Sequence, residues 1–334
     1  MRKWLLLFVL CFSIGLAHAG KRALLVGISE YPQGSGWCKL SSDNDLLLLD
    51  SVLKRTMPIS ILSGRDATKA GIISALRTLA SQTIIGDTVL VHFSGHGQQM
   101  WAVDGNENDL LDEAFIPYDA KKDSSATYFG QNHLRDHELG QNINVVRKKA
   151  GSTGLVVISI DACHSGSIDK DVQKGDAVVR GTFEIFGSIQ PDEDDPRYNQ
   201  PDDTSLIEKR NMADVIYLSA CGQHEINREI IVEGIGYGSL SYSFAKAFFL
   251  SGLSNKVLFL DAVYAAMEQY QPLQTPKVRV SFVYNNGREV DDTLPSDQIE
   301  VGNEESQGYI VYIIVATIVF IFLIVLFIWK RKKR

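Results

Sequence analysis

The chain has 334 residues, 45% hydrophobic and 22% charged, a composition that suits one large globular core or two small ones. Its net charge of −7 is uneven: two of the 33 basic residues lie in the first three positions and five in the last five, while all 40 acidic residues lie between, so the intervening chain carries −14. That excess repels nucleic acid and favours cationic partners, although solubility alone would account for it equally well.

Residues 1–19 read as a secretory signal peptide. Arg2 and Lys3 supply the charged start, residues 4–16 an apolar run too short to span a bilayer comfortably, and Ala17-His18-Ala19 a small-x-small cleavage site. The mature chain would begin at Gly20; an uncleaved anchor is the alternative. Leu10 is too bulky for cleavage before Cys11 as a lipoprotein.

Residues 22–28 read as a first central strand, followed by a Gly/Pro/Ser-rich loop over 31–36. A helix opens near Asp43, with Leu46, Leu49 and Leu53 one turn apart. Residues 59–62 form a short strand. Thr68 or Asp66 caps a helix whose Ile72, Leu76 and Leu79 make one stripe. Residues 87–93 form a buried strand that runs into Ser94-Gly95-His96-Gly97. A polar stretch over 98–133 precedes a helix from about 135 to 149. Residues 156–160, Val-Val-Ile-Ser-Ile, are a strand buried on both faces, which stops at Asp161 with Cys163 just beyond it. Residues 168–210 are turn- and charge-rich. Then come a buried strand over 215–221, helices opening near 238 and 258, and a last strand over 278–284. Alternating strands and helices predict a mostly parallel sheet covered on both faces.

Residues 286–308 are polar and read as a tether. Residues 309–329 are uncharged and apolar or aromatic, about 30 Å of helix at 1.5 Å per residue, enough to span a bilayer core. The basic tail 330–334 then stays in the cytoplasm by the positive-inside rule. The expectation is a single-pass type I membrane protein whose main domain faces outward, in the periplasm or outside the cell. Residues 294–298 lack the Thr-Gly that a wall-sorting signal needs.

Ligands bind beyond the carboxyl ends of strands in open parallel sheets. Cys163 and His96 each stand just past such an end, and adjacent strands would bring thiol and imidazole together, a nucleophile with its base. His92, inside its strand, reads as a packed core histidine. Beyond the signal only Cys38, Cys163 and Cys221 remain. An odd number implies a free thiol, and without a CxxC spacing a zinc site is not expected. A Cys38–Cys221 pair has no support in the sequence, and Cys221 reads most simply as a small buried residue.

Ser94-Gly95-His96-Gly97 and Asp161-Ala162-Cys163-His164-Ser165-Gly166-Ser167 resemble the His and Cys motifs of caspase-like cysteine peptidases (family C14), most closely the metacaspase and bacterial caspase-domain branch. The resemblance covers about residues 20–285. It implies an α/β, three-layer caspase-like (caspase-hemoglobinase) fold with about six strands, to which the apolar tail adds one transmembrane helix. It divides the catalytic region into a large portion, 20–167, a linker, 168–210, and a small portion, 211–285. Lys170, Lys174, Arg180, Lys209 and Arg210 are conceivable activation cuts in the linker, which is otherwise an uncut surface loop.

The resemblance makes Cys163 the nucleophile and His96 the general acid–base, with the backbone N–H groups of Gly97 and Cys163 as the oxyanion hole. It assigns Asp161, Asp45 and Ser94 to a substrate pocket for Arg or Lys, since carboxylates suit guanidinium or ammonium and reject Asp. Asp45 otherwise serves only as a helix cap. Some metacaspases need calcium. Asp112 matches one ligand position and Asp136 resembles another, but His137 stands where an acid belongs and Lys170 where a carboxylate follows the Cys motif. The expectation is no cofactor, with Asp112 the weak metal candidate. The resulting expectation is an endopeptidase acting on protein or peptide substrates with a basic residue at the cut. An anchored binding or signalling module of the same fold, or a transpeptidase using the same thioester, are the rivals.

Overall fold

The computed structural model describes residues 19–101, 111–163, 178–187, 211–222 and 225–281. In chain order these form β1 (Lys21–Gly27), α1 (Ser42–Leu53), β2 (Ile59–Ser63), α2 (Lys69–Gln82), β3 (Thr88–Ser94), β4 (Gly97–Trp101), β5 (Leu111–Phe115), β6 (Leu134–Arg135), α3 (Asp136–Ala150) and β7 (Leu155–Asp161). After them come β8 (Asp214–Ser219), β9 (Glu229–Val232), β10 (Ile235–Gly238), α4 (Ser239–Ser251), α5 (Lys256–Tyr270) and β11 (Lys277–Val280).

The main sheet has six strands in the order β11-β8-β7-β3-β1-β2. All neighbours are parallel except β11, which runs antiparallel to β8, so the sheet is mixed. Successive residues of a strand face opposite sides, and both sides here are apolar. Ala23 and Leu25 of β1 join a core with α1, α4 and α5, whereas Leu24 and Val26 join another with α2 and α3. The result is three layers, with helices on both faces. Thr68 caps α2 by accepting a hydrogen bond from the Gly71 N–H at 3.0 Å.

Two features position the site. β3 and β7 are neighbours in register, with Ser94 opposite Asp161, so the loops after both strands leave the sheet side by side. Gly27 ends β1 without a side chain, and Leu46 of α1 fills that space, which draws the first turn of α1 over the carboxyl ends of the strands. A second sheet, β4-β5-β6, and a hairpin, β9-β10, lie outside the main sheet. Neither was expected; in β4, Gln98 and Gln99 are polar yet buried, and the Gln98 amide bonds to the distant Glu184 carbonyl and His133.

The expected membrane-spanning helix needs correction, and with it the single-pass type I placement. No helix among the described residues is long and apolar enough to cross a membrane. The longest have 15 residues, about 22 Å at 1.5 Å per residue, short of a bilayer core of about 30 Å. The apolar run 309–329, the tether, the basic tail and the signal-like residues 1–18 lie outside the described residues, as do Lys170, Lys174, Lys209, Arg210, His164 and His224.

Asp87 ties the start of β1 to the start of β3. Its buried carboxylate accepts from the Gly20 N–H at 2.6 Å, the Ile84 N–H at 3.0 Å and the Arg22 guanidinium at 2.7 Å. Asp87→Ala would strand these donors. Urea denaturation should register a loss of about 3 kcal/mol.

Candidate active site

Cys163 and His96 stand where adjacent parallel strands end. Cys163 follows β7 by two residues and is buried; its thiol donates to the Glu225 carbonyl at 3.1 Å. The Cys221 thiol points at the Cys163 sulfur from 3.5 Å. That contact and burial push the Cys221 thiol well above its ordinary range. No disulfide joins Cys38, Cys163 and Cys221, so the structure contains no Cys38–Cys221 bond.

His96 is buried between Trp37, stacked at 4.8 Å, and Tyr31, at 5.3 Å between ring centroids. Its Nε2 lies 3.0 Å from the Cys38 carbonyl oxygen, which can only accept. Nε2 therefore carries the proton and the lone pair of the neutral ring is on Nδ1. Nδ1 is buried and has no hydrogen-bond partner among the described residues. Burial lowers the pKa of His96 to about 4, so the ring is neutral near pH 7.

The Arg180 backbone lies against the loops that carry both residues. Its carbonyl oxygen accepts from the Cys163 N–H at 2.8 Å and the Gly97 N–H at 3.3 Å, the two donors expected to line an oxyanion hole. Residues 178–180 lie extended and antiparallel to residues 227–229. The Arg180 N–H donates to the Asn227 carbonyl and the Glu229 N–H to the Val178 carbonyl, each at 2.9 Å.

The Arg180 side chain is fully buried in an acidic pocket. Nη2 donates to Asp45 at 2.7 Å and to Glu229 at 2.9 Å, and Nη1 donates to the Ser94 hydroxyl at 2.7 Å. Ser94 in turn donates to Asp45 at 2.7 Å. Asp161 stands further off, 3.9 Å from Nη1, and is held by Asn227 at 2.7 Å and by the Ser241 hydroxyl at 2.6 Å. A side chain at Gly238 would collide with the guanidinium and with Asp161, so glycine there leaves room for the arginine.

Asp45, Asp161 and Ser94 thus converge, but in a different order of importance from that expected. Asp45 makes the direct contact and is not a helix cap; its other oxygen accepts from the Gly238 N–H at 2.9 Å. Burial raises Asp45 to about 6 even with Arg180 beside it. Asp161 ends below its ordinary value, because Arg180 and the hydrogen bonds from Asn227 and Ser241 outweigh burial. Sequence reasoning missed Glu229, Asn227 and the Cys38 carbonyl, none of which belongs to a recognisable motif. Arg180 was named only as a conceivable cut in the linker and not as a residue of the pocket; the two β-branched valines before it, an extended-chain signal, are the one local hint of its conformation.

Asp112, Asp136 and His137 cluster with their ligand atoms within 4.8 Å. Calcium takes six or more oxygens. This cluster offers two carboxylates and an imidazole, and Arg135 already holds Asp112 in an ion pair. Among the described residues the cluster thus supplies fewer oxygens than calcium takes.

The caspase-domain model of peptidase family C14 matches residues 20–283. The chain belongs to that family. Its members are cysteine-type peptidases, which are hydrolases. Among its relatives, Metacaspase-1 of Eremothecium gossypii is 27% identical over 256 residues, 66% of this chain and 54% of that protein. Metacaspase-1B of Aspergillus fumigatus is 30% identical over 172 residues, 47% of this chain and 38% of the relative. The chain thus spans about half the length of the curated relatives it matches. The caspase-domain fold is shared with protein GSU0716 of Geobacter sulfurreducens, with a TM-score of 0.56 at 20% identity, over 80% of this chain and 95% of that one.

Three buried histidines should make this caspase domain less stable in acid. Burial lowers His92 and His96 to about 4 and His133 to about 3, from an ordinary 6.5. Below pH 6.5 the unfolded chain takes up protons that the folded chain refuses, so their contribution, complete above 6.5, is lost as pH falls towards 4. Asp45, raised to about 6, and Asp261, also raised by burial, work in the opposite direction but are outnumbered by the histidines. Thermal midpoints should fall steadily between pH 6.5 and 4, and replacing His133 with Gln should flatten the slope.

Proposed function

We propose that the protein is a cysteine endopeptidase that cuts peptide bonds after arginine, and less readily after lysine, with Cys163 as nucleophile and His96 as general acid–base. One observation carries this reading: an arginine of the chain itself has its guanidinium among Asp45, Glu229 and Ser94 while its carbonyl oxygen receives the N–H groups of both Gly97 and Cys163. That is the pose a substrate would need. Two nitrogens of the fork are used at once, which an ammonium cannot reproduce. An aspartate would meet three carboxylates and no cation.

In this reading His96 Nδ1, the nitrogen left free by the Cys38 carbonyl, takes the thiol proton. Sulfur attacks the carbonyl carbon, and the growing negative charge falls on the oxygen already held by two N–H donors. His96 then protonates the leaving amine, and water hydrolyses the thioester. The acidic pocket supplies binding and register.

Fluorogenic peptides ending in Arg, Lys or Asp test the proposal. Arg should be cut best, Lys about tenfold to hundredfold less well, and Asp not at all. Cys163→Ala and His96→Ala should each abolish turnover. Cleavage that survives Cys163→Ala, or Asp as the preferred residue, would overturn the reading.

The pocket also fixes a pH dependence. Asp45 stands at about 6 with a guanidinium beside it and higher without one, since that cation lowers it. Arginine binding therefore expels a proton. KM for arginine substrates should fall as pH rises above about 6, and should level off on the acid side of that value. Asp45→Asn should remove this slope in KM profiles and raise KM at pH 8.

A further inference from the structure

Cys221 holds on β8 the place that Cys163 holds on β7. The two strands run parallel side by side, and the Ala220 N–H donates to the Ile160 carbonyl at 3.1 Å, so the pairing continues past Ser219. Cys163 stands two residues beyond the end of β7 and Cys221 two beyond the end of β8. Both side chains are buried, and their sulfurs lie 3.5 Å apart.

The direction of that contact follows from the number of protons. A thiol has one to give. The Cys163 proton goes to the Glu225 carbonyl oxygen, 3.1 Å away, which can only accept. The contact between the sulfurs is therefore made by the Cys221 proton. The backbone that presents these groups is tied down. The Glu225 N–H donates to the Gly222 carbonyl at 3.1 Å, and the Glu225 carboxylate accepts from the Gly222 N–H at 3.1 Å and the Thr275 N–H at 2.9 Å. Gln274 Nε2 holds the Ala220 carbonyl at 2.7 Å.

We propose that Cys221 is a catalytic residue, whose S–H hydrogen bond stabilises the Cys163 thiolate as His96 takes the thiol proton. The inference deepens the reading of the site as a cysteine peptidase and rests on it. The two partners of the Cys163 sulfur named above oppose each other. The Glu225 carbonyl favours the thiol, because it needs the proton. The Cys221 S–H favours the thiolate, because a hydrogen bond to a charged acceptor is roughly twice as strong as one to a neutral acceptor. When the Cys163 proton passes to His96 Nδ1, the sulfur keeps the electron pair and its bond to Glu225 is lost. The Cys221 proton stays on its own sulfur and now meets a full negative charge. Once the Cys163 sulfur has bonded to the substrate carbonyl carbon, the charge sits on the carbonyl oxygen. The Cys221 bond then weakens, and the N–H groups of Gly97 and Cys163 take over. Cys221 suits this role because it remains a thiol: the Cys163 contact, burial and the carboxylates of Glu225 and Glu113 all hold its proton in place. Of the cations on the surrounding elements, Lys277 packs against Gly222, and the Arg180 guanidinium is paired with Asp45 and Glu229.

The rate at which iodoacetamide modifies Cys163, followed across pH by peptide mass spectrometry with a phosphine reductant present, tests this on the full chain. Cys221→Ala should raise the thiolate midpoint of Cys163 by about one pH unit, and Cys221→Ser, which keeps a donor, should bring it back. A less stabilised thiolate is also the better nucleophile, by about threefold per unit. Cys221→Ala should therefore react about threefold more slowly than wild type well below the midpoint and about threefold faster well above it. A loosened fold would move the rates in one direction at every pH. Thiolate ultraviolet absorbance, taken against the matching Cys163→Ala protein, gives the same midpoint independently of access to the sulfur. Below the midpoint, kcat for arginine peptides should fall about threefold in Cys221→Ala with KM little changed. Equal midpoints in wild type and Cys221→Ala, with arginine peptides cut by both, would overturn the role of Cys221 and leave the peptidase reading standing. If the wild type cuts no arginine peptide, the peptidase reading itself fails, and the catalytic role with it. Should Cys221→Ala not fold, Cys221→Val, close to cysteine in volume and without a donor, gives the same comparison.

Discussion

The site depends on a charge balance in a water-poor place. Asp45, Asp161 and Glu229 are buried together, an arrangement that like charges resist unless a cation joins them. The Arg180 guanidinium supplies that cation, and the acids in turn hold its pKa above the ordinary arginine value although burial opposes this. Each acid is also braced by donors independent of the arginine: Gly238 for Asp45, Asn227 and Ser241 for Asp161, and Ser41 for Glu229 at 2.7 Å. The braces hold the carboxylates in place around the Arg180 guanidinium.

That balance is achieved by elements far apart in the chain. Asp45 comes from the first turn of α1, Asp161 from the end of β7, Glu229 from the start of β9 and Ser94 from the end of β3. The parallel pairing of β3 and β7 brings Ser94 and Asp161 level, and the close seat of Leu46 on Gly27 brings α1 over them. The same pairing sets the backbone donors of Gly97 and Cys163 on one oxygen. Pocket and donors therefore share a frame, and a residue seated in the first has its carbonyl delivered to the second.

Much of this could be read from the residues. The strands are short β-branched runs, the helices carry clear apolar stripes, and the two motifs sit just past strand ends, so the alternation and the placing of both motifs at the ends of neighbouring strands were legible. Where polar residues are buried by tertiary partners, periodicity is silent. Gln98 and Gln99 made β4 look like loop, and Glu229 and Asn227 carry no local pattern that separates them from surface residues. That Arg180 enters the pocket in an extended conformation is a matter of three-dimensional reach, which local pattern does not record. The apolar run at the end of the chain suggested a bilayer span by length alone, and the described helices offer none.

β7 and β8 lie in the same sheet and are bonded along six residue pairs, from Leu155 with Asp214 to Ile160 with Ser219. One precedes Cys163 and the other follows residue 211, so the backbone between them could be severed without parting the strands. A nick there would be a chemical event without a mechanical one. The fragments would still sediment as one particle, welded by the sheet, and could be told apart only after denaturation.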